Sequence, residues 1–137
     1  MARTAHAALG LLGELRPGLG YVIPLAWTPK LTDPISAIEV YPAATLVGRG
    51  CRSTGYKNAE QAPQRRETIA ALPSDDVKLP DLPVLEQSAG ALDAALCLVA
   101  AHDFLVGQAM APPNLELAKR EGWIWACHRS EGKQPYV

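Results

Sequence analysis

The sequence contains no uninterrupted apolar run of the roughly 18 or more residues that a membrane-crossing helix needs. Its most apolar stretch, Ala91 to Ala101, is broken by Asp93. A net excess of either charge sign is also missing: 13 Lys and Arg stand against 14 Asp and Glu, so no global electrostatic footprint for nucleic acid is present. Cysteine is sparse, and Cys51, Cys97 and Cys127 lie far apart with no pair at metal-ligand spacing. That indicates neither a disulfide framework nor a zinc site, and a reducing cytoplasm fits best. The apolar run from Ala7 to Leu12 is too short for a secretory leader and is followed at once by Glu14.

Several catalytic signatures are absent as well. Ser53 and Thr54 lack the setting of a nucleophile elbow, and Gly48-Arg49-Gly50 lacks the Lys-Ser/Thr ending of a phosphate loop. His6, His102 and His128 share no metal spacing, and His102 reads as a surface or packing residue. No internal repeat, heptad pattern or low-complexity segment occurs.

What is present is a chain of 137 residues with 48% hydrophobic content, enough for one domain with a real core. Strands are predicted near 21–27, 36–41 and 123–127, and helices near 5–15, 58–72 and 84–107. Thr4 is placed to cap the first helix, Pro17 and Gly18 to end it, and Pro24 to interrupt the first strand. Residues 43–46 and 115–120 suit short helical turns. Pro73 to Pro83 reads as an exposed connector, and the tail from His128 as a frayed end.

Two stretches carry chemistry. In Ile38-Glu39-Val40-Tyr41-Pro42 the β-branched and aromatic residues favour a strand, and Pro42, with no N–H for a ladder, ends it. Alternation sends Glu39 and Tyr41 to one face and Ile38 and Val40 to the other. A carboxylate in a short apolar strand is costly unless it is solvated, paired or bound to a cation. The plain alternative is an edge strand with Glu39 in water. The second stretch, Pro83 to Gly107, reads as one helix in which Asp93 is the only charge of a small-residue apolar middle. Glu86, two turns earlier, then shares its row. A helix acid and a strand acid could meet on one cation; equally, Asp93 could pair with an arginine.

Between these stretches, Arg49, Arg52, Lys57, Arg65 and Arg66 face Glu60 alone. A basic loop beside an acidic site suits phosphodiester chemistry, although a solvated loop has the same composition. Arg65 and Arg66 are expected on the outer face of the 58–72 helix, with Ile69 and Leu72 packing inward.

Ile38-Glu39-Val40-Tyr41-Pro42-Ala43-Ala44, Gly55-Tyr56-Lys57, Leu92-Asp93-Ala94-Ala95-Leu96-Cys97 and Glu121-Gly122-Trp123-Ile124-Trp125 occur in that order. Over roughly residues 35–126 this resembles the prokaryotic domain-of-unknown-function family 429, described as predicted nucleases with a ribonuclease H-like fold. The resemblance implies an α/β class: a partial ribonuclease H-like fold with a mixed sheet flanked by helices. It further implies phosphodiester hydrolysis with Glu39, Asp93 and Lys57 as catalytic residues and nucleic acid as partner. Mg²⁺ or Mn²⁺ would be held by Glu39 and Asp93, with Glu86 added from helix geometry. The family's first Asp-bearing strand has no counterpart here, so the single domain of residues 1–137 reads as the C-terminal portion of that fold. Two further expectations follow: a homo-oligomer joined through an open sheet edge, and, as the alternative to a nuclease, an inactive ribonuclease H-like module used in binding or assembly.

Overall fold

In the computed structural model the described residues are 2–72, 77–79 and 82–128, with side chains from residue 6 onward. Thr4, expected to cap the first helix, lies within its helical backbone; much of the connector between Pro73 and Pro83 and the tail beyond His128 lie outside the described residues. The described chain is mixed α/β, with six helices and a two-stranded parallel sheet. It divides into two compact units, residues 1–38 and 39–137.

The first unit holds helix α1, Ala2–Leu19, and an extended segment. The helix was expected to stop at Pro17; instead it continues through it, and the Gly20 N–H closes it on the Arg16 carbonyl at 2.9 Å. The predicted strand over 21–27 shrinks to one parallel bridge between Leu25 and Ala37. The Ala26 N–H donates to the Ala37 carbonyl, and the Ala37 N–H to that of Pro24. Pro24 has no N–H of its own to extend this ladder.

The second unit contains strand β1, Glu39–Val40, and strand β2, Ile124–Trp125, paired in parallel with Glu39 opposite Ile124. Beyond β2 the chain pairs with residues 108–110 in the antiparallel sense: Met110 donates to Ala126, and a bridge joins Ala109 to Cys127. Pro42 ends β1 as anticipated and opens helix α2, Pro42–Gly48, where its missing N–H costs nothing. Helix α3, Ala62–Ala71, begins later than predicted, with Pro63 in its first turn.

The long helix over 83–107 is two helices, α4 (Leu82–Gln87) and α5 (Ala89–Leu105). Ser88 is extended at φ −123° and ψ 115°, and its hydroxyl accepts from the Ala91 N–H. A serine followed by Gly90 makes a helix start affordable at this point, and the apolar periodicity on either side hides the break. Glu86 and Asp93 therefore do not share a helix row. Helix α6, Leu115–Glu121, is capped by Asn114 and followed by Gly122.

Leu46, Tyr56, Leu72, Leu92 and Leu96 form the core, with Cys51, Ile69 and Leu79 against them. Helix α5 is its spine, packing on α2, α4 and β1. Phe104 meets Trp125 edge-on at 4.7 Å. Beneath the α2–α5 contact, Arg49 forms a buried ion pair with Asp103.

Arg65, expected outside, is 1% exposed. Its Nε–H donates to the Glu86 carbonyl, Nη1 to Tyr56 and Asn58, and Nη2 to Ala59 and Gln87. These bonds employ all five donors of the guanidinium fork. Arg65 thereby closes the C-terminal carbonyls of α4 and fastens the 56–59 turn to them. Lysine keeps the charge and loses the fork, so Arg65→Lys is expected to destabilise the chain by about 3 kcal/mol. Denaturant unfolding measures this.

Candidate functional site

The 56–59 turn that Arg65 holds starts at Gly55, whose φ of 89° favours glycine. The next two side chains both meet Asp93 on α5. The buried Tyr56 hydroxyl donates to Asp93 Oδ1 at 2.7 Å. The Lys57 ammonium lies 3.1 Å from Oδ2 and 5.6 Å from the centre of the Tyr56 ring. Folding thus brings Lys57 and Asp93, two of the three expected catalytic residues, into direct contact. The sequence motif assigns Tyr56 no role, although its place beside a basic residue in the Gly55-Tyr56-Lys57 turn is the available signal.

Burial, the hydrogen bond to Asp93 and that carboxylate's charge all push the Tyr56 phenol above its ordinary value of 10.0, and the Tyr41 phenol adds to the effect. Cys97, one turn beyond Asp93, is also raised, first by burial and then by the Asp93 charge.

Glu39 is exposed at the start of β1. Among the described residues it makes no ion pair. The strand that carries it, β1, packs against α5. The Glu39 carboxylate lies over Gly122, where an added Cβ would sit 3.2 Å from Oε2. With φ 91° and ψ 163°, Gly122 occupies a backbone region essentially reserved for glycine. Glu86, on α4, is paired with Arg66 at 2.8 Å, and that hydrogen bond holds its carboxyl below the usual range.

The basic segment is largely consumed within the fold. Arg49 is committed to Asp103, Arg65 to backbone carbonyls, Arg66 to Glu86 and Arg52 to Gln64. Lys57 is its one member placed on Asp93. Among the described residues no three His, Cys, Asp or Glu side chains gather as a ready-made metal cage.

Two measurements check this geometry. Because the folded Tyr56 pKa is raised, its contribution to stability is complete below pH 10 and declines as pH climbs above it. Phenolate absorbance should show one of the four tyrosines ionising well after the rest, and Tyr56→Phe should abolish that late step. Gly122→Ala should destabilise the fold by about 1–3 kcal/mol through its backbone conformation, read as a lowered unfolding midpoint.

The family described as proteins of unknown function (DUF429) matches residues 14–117, a span that includes β1, the Gly55-Tyr56-Lys57 turn and Asp93. No curated protein and no solved structure matches the chain. With three quarters of its length covered and the motif residues Tyr56, Lys57 and Asp93 in contact, the chain belongs to the DUF429 family.

Proposed function

We propose that the chain is a metal-dependent nuclease of ribonuclease H-like type that hydrolyses phosphodiester bonds at Asp93, Glu39 and Lys57. The observation that carries this reading is the contact of the Lys57 ammonium with Asp93 at 3.1 Å, formed by two motifs that lie 36 residues apart.

The donor set suits a hard cation. Mg²⁺ and Mn²⁺ prefer oxygen, and Mg²⁺ is commonly held by one or two carboxylates, with waters and substrate phosphate completing its shell. Asp93 and Glu39 are carboxylates with access to solvent, on elements packed against each other, and they are the residues that would hold the ion. Glu86 does not fit, because its carboxylate is bound to Arg66 on a separate helix. A bound divalent cation supplies Lewis-acid polarisation of the phosphoryl oxygen and a water of lowered pKa.

The protein's own groups orient and counter charge. The Tyr56 hydroxyl fixes the Asp93 carboxylate through Oδ1, and Oδ2 meets the Lys57 ammonium. Lys57 brings a mobile positive charge to a phosphate oxygen.

A second reading is supported by the same contact: both Asp93 oxygens already have partners, as in a module that keeps the scaffold for binding or assembly. β1 and β2 pair with one another, and an outer sheet edge is a surface on which a second copy could pair.

The test is a cleavage assay on mixed single- and double-stranded DNA and RNA with Mg²⁺ or Mn²⁺. Cleavage should depend on the cation and fall by about a hundredfold or more in Asp93→Asn and Glu39→Gln. Absence of cleavage by the folded wild type, or full activity in Asp93→Asn, overturns the nuclease reading and leaves the binding module.

A further inference from the structure

The two partners of Asp93 differ in their freedom to leave. Tyr56 is fully buried, and Arg65 binds its carbonyl at 2.8 Å, so the phenol stays on Oδ1. The Lys57 side chain is 52% exposed and that of Asp93 30%. An ion pair in such surroundings is weak and exchanges readily with solvent. The four-carbon stem of lysine lets its ammonium swing to another oxygen without moving the backbone. Asp93 therefore has one permanent partner and one removable partner.

Mg²⁺ bonds a carboxylate oxygen at about 2.0–2.1 Å. It cannot share Oδ2 comfortably with an ammonium 3.1 Å away, because the two like charges would lie within a few ångströms of each other. A phosphodiester anion arriving at the same place attracts the ammonium and repels the carboxylate. We infer that Lys57 gates Asp93: it covers Oδ2 in the free protein and transfers to a phosphate oxygen when a phosphodiester binds, so that cation and phosphodiester bind cooperatively. This rests on Asp93 being a cation ligand, as proposed above. Linkage requires reciprocity, so each ligand raises the affinity of the other by the same factor.

The test is Mn²⁺ binding to the full chain, followed by calorimetry and by the electron paramagnetic resonance of the free ion, with and without dimethyl phosphate as an uncleaved phosphodiester. Lys57→Gln should bind Mn²⁺ about tenfold more tightly than wild type in the absence of the phosphodiester, within the usual range of coupling factors. Dimethyl phosphate should tighten Mn²⁺ binding by wild type several-fold, on the same grounds, and leave Lys57→Gln unchanged. Lys57→Arg, which retains a cation for Oδ2, should bind Mn²⁺ like wild type. Should Lys57→Gln bind no more tightly than wild type while Asp93→Asn loses binding, the gate is refuted and the cation site stands. Should neither wild type nor Lys57→Gln bind Mn²⁺, the gate and the cation site fall together.

Discussion

The structure of the second unit depends on a buried guanidinium. Among the described residues no carboxylate pairs with Arg65; backbone carbonyls of two separate segments satisfy its five N–H groups. Burying a charge is tolerable only with such complete hydrogen bonding. The consequence is geometric. The segment after Gly55 has little regular structure, yet its carbonyls are held by the same side chain that closes α4, immediately before the Ser88 cap that starts α5. The turn bearing Tyr56 and Lys57 and the helix bearing Asp93 are thus set against one another by a residue that touches none of the reacting groups proposed here.

Helix α5 carries two aspartates with opposite assignments. Asp103, near its end, is 1% exposed and paired with Arg49, so breaking that pair would strand a charge in the core at a cost of about 3–5 kcal/mol. Asp93, near its start, meets its ammonium at the surface, where such pairs contribute about 0–1 kcal/mol. The first contact holds α2 to α5 and is permanent. The second, at the surface, contributes little to holding the fold.

Much of this was visible in the order of residues. Pro42 ends β1 and opens α2, Trp125 turns inward beside an exposed Ile124, and Glu39, Lys57 and Asp93 stood out as a carboxylate in a strand, a lysine after a turn and a lone charge in an apolar helix. The misreadings have specific causes. Ser88 was hidden because apolar periodicity continues across it, and with the helix unbroken Glu86 was aligned with Asp93. Arg65 was assigned to the surface because charged residues usually are; nothing local announces that backbone carbonyls from positions 56–59 and 86–87 will converge on it. The basic stretch from Arg49 to Arg66 promised a patch, and folding spent most of it on internal partners.

The sequence by itself determined the local matters: where chain-stopping prolines fall, which segments are apolar with helical or alternating spacing, that no uninterrupted apolar run reaches the length of a membrane-crossing helix, and which chemical groups are available. These follow from covalent geometry and the nearest neighbours along the chain. Only the tertiary structure decided which carboxylate meets which cation: Asp93 with Lys57, Asp103 with Arg49, Glu86 with Arg66. Each pairing joins residues at least 20 positions apart, and the partner is selected by packing and desolvation, to which no short window of sequence has access.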